Sequence, residues 1–515
     1  MHASVQSDRD MQPQGVPHMP RQSLAAFIAA TLAVAAAHAE TYTGPSSSAS
    51  PYLLPTQPGV TVTSILTVGD SVNAKPDGTP YRMVGIPDGL GAFDNHDGTF
   101  TVVMNQELGN AVGIVRAHGG TGAFVSKWIV DKDTFQVLHG EDLIQTAYGW
   151  NGSAWAPLTG AKNTFGRFCS ADLPEVSAFF DAATGRGTTE RIFMNGEESG
   201  AEGRALAHVI TGDYAGKSYD LPWLGRFSWE NAVAKPGTGS RTVVAGLDDS
   251  GNGQVYFYVG DKTNASHPVE AAGLTNGKLY GLKVELGAGQ YIETNASVIP
   301  AGTRFALVDV GAVGALSGAQ LETLSNTRQV SGLQRPEDGS WDPTDASHFY
   351  FNTTASFNGI SRLWQLTFDD PADVTKGGTL RIVTQSPAFD PAKANIDQAG
   401  PRMLDNLTVG AKGHVLAVED VGNNAYVGGL WQIDPATGKT VKVAEHDRDR
   451  FVAGAANFLT QDEESSGVIP LKGILGEGWY LIDVQAHYPI AGELVEGGQL
   501  LAIKVPPRNI DKAFK

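Results

Sequence analysis

Short apolar or alternating runs, each closed by Gly, Asp or Asn, recur along most of the chain. Segments 100–104, 191–194, 241–245, 254–259, 348–351 and 414–418 are rich in β-branched and aromatic residues, so each predicts a strand bounded by turns. Helical periodicity is weak and is offered only by 174–183 and 315–327. Phrases such as Asp97-Gly98-Thr99-Phe100, Ala411-Lys412-Gly413-His414 and the stretch from Leu430 to Gly438 place a tight turn beside a strand, as propeller blades do. The expected fold is mainly β: a β-propeller-like single large domain over 61–515 with a few short helical insertions. No strict 40-residue period appears, which leaves a sandwich or a pair of β domains as the competing arrangement.

The two ends of the pattern differ from its middle. Arg21 precedes an apolar run over 24–36, and Ala37-His38-Ala39 follows it, so 1–39 predicts a secretory signal peptide cleaved after Ala39. Translation could start at Met1 or at Met19. Residues 40–60, with Gly44-Pro45-Ser46-Ser47-Ser48, read as a flexible N-terminal segment. No later stretch is long and apolar enough to span a bilayer, so the mature chain is expected to be exported, periplasmic or extracellular, without a membrane span.

Composition narrows the choice of partner. The 515 residues carry a formal net charge of -18, which disfavours long-range attraction to nucleic acid or to an anionic membrane. Cys169 is the single cysteine, so no intramolecular disulfide can form and bound cations are the available cross-links. The 12 histidines do not form compact ligand pairs, and the chain has no Gly-x-Ser-x-Gly, His-Glu-x-x-His or Walker sequence. His487 is the histidine nearest to candidate chemistry. Oligomeric state is not legible.

Two acidic words stand out: Asn195-Gly196-Glu197-Glu198-Ser199-Gly200 and Gln461-Asp462-Glu463-Glu464-Ser465-Ser466-Gly467, both without Lys or Arg. Glu107, Glu230, Asp248-Asp249, Glu337, Asp405 and Glu419-Asp420 also lie at the ends of strand-like segments. Carboxylates that converge without basic partners repel one another unless a cation lies among them. They therefore predict a multi-cation site of hard oxygen ligands, with solvated turns as the plainer reading of any one doublet.

The words Asn105-Gln106-Glu107, Gly196-Glu197-Glu198, Gly225 to Glu230, Gly246-Leu247-Asp248-Asp249, Arg335-Pro336-Glu337, Asp405-Asn406-Leu407 and Asp483 to His487 resemble, in order, those of PhoX-type alkaline phosphatases. That resemblance implies a propeller holding iron and calcium (Fe3+ and Ca2+) and a small-molecule phosphoester substrate. It makes Glu107, Glu197, Glu198, Glu230, Asp248, Asp249 and Glu337 candidate cation ligands, joined by Asp462, Glu463 and Glu464 of the second acidic word. It makes Cys169 the candidate iron thiolate, and Arg335 with Glu337 the candidate catalytic pair, Arg335 on phosphate. Gln106 and Trp229 stand where the family words commonly have His. The expected activity is a secreted metal-dependent phosphoester hydrolase; a calcium-dependent propeller esterase of phytase or lactonase type and a non-catalytic calcium-bound module are the alternatives.

Overall fold

A computed structural model describes residues 39–506. Residues 1–38 of the expected signal peptide lie outside them. The described residues form a six-bladed, propeller-like ring of mostly antiparallel sheets. The innermost strands are Pro87–Asp94, Phe168–Asp172, Trp229–Ala234, Pro336–Trp341, Leu404–Val409 and Glu463–Pro470, one from each blade in order. Each touches the next, and the last touches the first. Blades three and four fuse at their outer edges, where Arg304 pairs with Thr379 and Phe305 with Gly378 to make one nine-stranded sheet.

All six strand segments expected from the apolar pattern lie in or overlap strands. Their turns are pinned locally: Asp97 Oδ1 accepts from the Thr99 amide at 3.0 Å, and Asp434 Oδ1 accepts from the Ala436 amide at 2.9 Å. Apolar faces of neighbouring blades bury one another, as where Phe257, Trp341, Phe349 and Phe368 meet between blades three and four. The expected helix over 315–327 is Gly318–Thr327, started by Ser317, which caps the Gln320 amide while Gln320 returns the bond. The expected helix over 174–183 is instead a single 3-10 turn, Val176–Ala178, followed by strand Phe180–Asp181. No side chain caps that turn, and Ala178 and Phe179 are drawn into the apolar core.

Residues 40–60 also differ from expectation. Glu40–Thr43 pairs in parallel with Thr61–Ser64, and Leu53–Pro55 adds to the outer edge of blade five opposite Ala444–His446. Backbone ladders, rather than composition, decide the segment's state. Next to it, Thr61–Thr67 pairs with Val495–Lys504, so the last blade is built from both ends of the described chain.

Every inner strand has one irregularity, near its start in five blades and mid-strand in the sixth. The register against the second strand shifts at Pro87/Leu90, Phe168/Ala171, Trp229/Asn231, Pro336/Gly339, Leu404/Leu407 and Ser466/Ile469. Such a bulge re-aims the side chains within it. In four blades the strand is preceded by a left-handed residue: Ile86 (φ 53°), Arg167 (φ 44°), Arg335 (φ 60°) and Met403 (φ 47°). Positive φ is uncommon outside glycine, and four instances at one structural position mark a repeat that residue identities conceal.

Candidate metal centre

The bulges deliver Asp88, Cys169, Glu230, Glu337 and Asp405 to the axis of the ring, all buried. Their ligand atoms form three groups: Asp88 with Glu107 and Cys169, Cys169 with Glu198 and Glu230, and Glu230 with Glu337 and Asp405. Within each group the atoms lie within 4.8 Å of one another. Cys169 and Glu230 are each shared by two groups, so the cluster is continuous. Blade six adds Glu464 and Asp483, and Asp420 stands opposite Glu464 across an isolated β-bridge.

Polar side chains orient these groups. Gln485 Nε2 donates to Asp88 Oδ2 at 2.9 Å and to Glu107 Oε2 at 3.1 Å. Ser170 Oγ donates to Glu230 Oε1 at 2.5 Å and accepts from Asn406 Nδ2, joining blades two, three and five. Asn105 Nδ2 holds the Cys169 carbonyl at 2.6 Å and is itself held through Asn195 and His208. A Cβ at Gly467 would stand 2.8 Å from Leu90 and 3.0 Å from Asp483 Oδ1, so only glycine lets the last inner strand approach that carboxylate.

Burial, followed by the neighbouring acids, pushes the carboxyls of Asp88, Glu337, Asp405 and Asp483 well above the usual carboxylate range, and Glu230 up to about 8. Burial next to Asp88 raises the Cys169 thiol in the same way. Two arginines offset part of this charge. Arg167 contacts Glu107 at 2.7 Å and also pairs with Glu198; Arg335 holds Asp249 through Nε and Nη2 at 2.8 and 2.7 Å and lies 3.2 Å from Glu337. His487 is placed between Glu496, at 2.7 Å, and Glu464, at 3.9 Å. Although burial opposes its charge, the two carboxylates lift it to about 11.

The donor set fits cations. Asp405 Oδ1, both Asp483 oxygens and Gln485 Oε1 are buried without a hydrogen-bond partner among the described residues. Orphaned buried oxygens are costly, and a bound cation removes that cost. Oxygen donors suit hard ions; Cys169 adds one soft donor at one side of the cluster.

The acidic doublets divide. Consecutive residues on extended backbone face opposite ways, so one member of each pair reaches the axis. Glu198, Asp249, Asp420 and Glu464 are the inward members or reach its charges. Glu197 instead pairs with Arg204 and accepts from the Gly166 amide at 3.1 Å. Asp248 turns toward Tyr256 and Glu322, and burial raises it to about 7. Glu463 lies behind the strand, 3.6 Å from His446 Nδ1, and Asp462 is half-buried near His487. Glu197, Asp248 and Glu463 therefore stand outside the cluster that the sequence assigned them to. Asp405 was among the converging carboxylates but not among the ligands that the resemblance implied, and Asp88, Asp483 and the orienting Ser170, Asn406 and Gln485 were in neither set. Asp405 and Asp483 did begin recognised words, and the Pro87-Asp88-Gly89 bulge was the only signal for Asp88.

A family model for alkaline phosphatase PhoX matches residues 214–468, which contain three of the six inner strands and most of a fourth. The solved structure of Pseudomonas fluorescens PhoX, in complex with vanadate as a transition state analogue, aligns over 87% of this chain and 95% of its own at 13% identity, TM-score 0.56. The chain is thus similar to alkaline phosphatase PhoX in sequence over residues 214–468 and in fold over most of its length. The chain also aligns with a Xanthomonas campestris gluconolactonase (10% identity, 86% of this chain and 89% of that one, TM-score 0.34). A Trypanosoma rangeli sialidase aligns at 12% identity over 88% and 61%, TM-score 0.37. Neither of these two likenesses is close enough to bear on the site. Among curated proteins, none matches this chain in sequence.

Proposed function

We propose that this protein is an exported, metal-dependent phosphoester hydrolase. The carrying observation is Arg335, a partly exposed guanidinium 3.2 Å from buried Glu337 at the edge of the carboxylate cluster, within the segment matched by the phosphatase family. A guanidinium beside a concentrated acidic centre is suited to an anion that brings its own negative charge to bound cations. The signal-like N-terminus supports export. Among the described residues no helix is long and apolar enough to cross a membrane.

Asp88, Glu107, Cys169, Glu198, Glu230, Glu337 and Asp405 are the residues that would hold the metals. The oxygen-rich groups suit calcium, and the group with Cys169 suits iron. When bound, the cations act as Lewis acids toward a phosphoryl group. Arg335 binds a non-bridging phosphoryl oxygen through the donors that Asp249 leaves free. Asp249 fixes the guanidinium plane, so its direction is set before substrate arrives. Gln485 and Ser170 keep Asp88 and Glu230 in register, and Ser170 holds its proton at Oγ toward Glu230.

Kinetics on a chromogenic phosphoester, paired with metal analysis, test the reading. Arg335→Ala should keep its metal while raising KM, lowering kcat, or both. Glu337→Ala should lose metal and turnover together. An inactive metal-replete wild type, or normal hydrolysis by both variants, would sink it.

A further inference from the structure

Arg335 has a counterpart. Arg167-Phe168-Cys169 in blade two and Arg335-Pro336-Glu337 in blade four place an arginine two residues ahead of a cluster side chain, each at the left-handed position before a bulged inner strand. The side chains are used alike. Arg167 turns its Nε and Nη2 to Glu198 and its Nη2 to Glu107; Arg335 turns Nε and Nη2 to Asp249 and Nη2 to Glu337. In both, Nη1 has no acceptor among the described residues.

Each arginine is thus braced on one edge by two carboxylates, with the other edge open. Side-chain exposure is 53% for Arg167 and 34% for Arg335, whereas their partners Glu107 and Glu337 are at 7% and 2%. About half of the Arg167 side chain is exposed, so its open edge is accessible to an anion arriving from solvent. The other two left-handed positions hold Ile86 and Met403, so the backbone repeat itself does not demand arginine.

We infer that Arg167 is a second phosphoryl-binding residue, contributing its Nη1 edge to the substrate anion from blade two as Arg335 does from blade four. This rests on the phosphatase reading and adds a recognition residue to it. A phosphoryl group has several non-bridging oxygens, so two braced guanidiniums can engage it while others remain for the cluster.

Inorganic phosphate is the probe, used with the metal-replete full-length protein as a competitive inhibitor and by direct calorimetry. Arg167→Ala should weaken phosphate binding at least 10-fold with unchanged metal content, by analogy with loss of a charge-assisted pair. Arg167→Lys should keep metal and fall between, because an ammonium retains charge but not the fork. Wild-type phosphate affinity in either metal-replete variant overturns the inference. So does loss of metal in both, which would make Arg167 a brace for Glu107 and Glu198 alone. If the wild type itself binds no phosphate, the phosphatase reading fails and this inference falls with it; if the wild type and Arg335→Ala behave as proposed and only Arg167 is silent, the inference alone fails.

Discussion

Gln485, on the last blade, donates to Asp88, on the first, at 2.9 Å, and the same amide reaches Glu107 at 3.1 Å. One side chain thus sets the direction of two candidate ligands across the seam where the ring closes. Gln485→Leu preserves volume but removes both donors. Metal affinity is expected to fall about 10–100-fold, the usual effect of deleting an orienting partner. Competition with a fluorescent chelator measures it, and unchanged affinity would show that the two acids are oriented without Gln485.

Removing the metal should make stability depend on pH in a defined direction. Burial and mutual repulsion raise the folded-state pKa of Glu230 to about 8, and of Asp88, Glu337, Asp405 and Asp483 well above the ordinary range. These groups hold protons in the folded state that the unfolded chain releases near pH 4, so their contribution is complete below that pH and is lost as pH rises through 8. The chelated protein should melt at progressively lower temperature from about pH 5 to pH 9. Calcium should restore the alkaline melting temperature. Scanning calorimetry with and without chelator checks both, and a chelated protein that is most stable at alkaline pH would contradict the assignment.

The doublet Glu197-Glu198 should separate by substitution. Glu198→Gln is expected to lower metal content with little change in fold. Glu197→Gln leaves Arg204 without its carboxylate partner and should cost about 2–4 kcal/mol of stability while keeping the metal. Urea unfolding and elemental analysis of the two variants distinguish them; equal metal loss in both would mean that the strand's facing is wrong.

Much of the blade pattern was legible because alternating apolar runs and Asp-Gly turns obey local rules. The carboxylates were legible as a set for the same reason: recurrent acids at strand ends have few bland explanations. Which member of a doublet faces the axis was not, since that depends on strand register and on a bulge that shifts it by one residue. Asp88 was hidden because a lone Asp before Gly reads as a turn. The sixfold repeat escaped notice because its inward position is filled by Asp, Cys, Glu, Glu and Asp in five blades and by glycine-containing backbone in the sixth.

Cys169→Ser offers a spectroscopic check. The thiol is buried beside Asp88, 3.4 Å from its Oδ2, and is the only sulfur donor in the cluster groups. Substitution should abolish any thiolate-to-metal absorption and reduce iron content, while calcium content and folding are kept. Full iron retention in the serine variant would assign Cys169 to core filling.

The seam between Thr61–Thr67 and Val495–Lys504 has a temporal meaning as well. Asp88 and Gln485 are 397 residues apart, roughly 20–80 seconds of synthesis at about 5–20 residues per second. Throughout that interval the nascent chain carries the first candidate ligands without the last. The proposed cation centre draws on residues from both ends of the described chain, so it is complete only when the finished polypeptide folds.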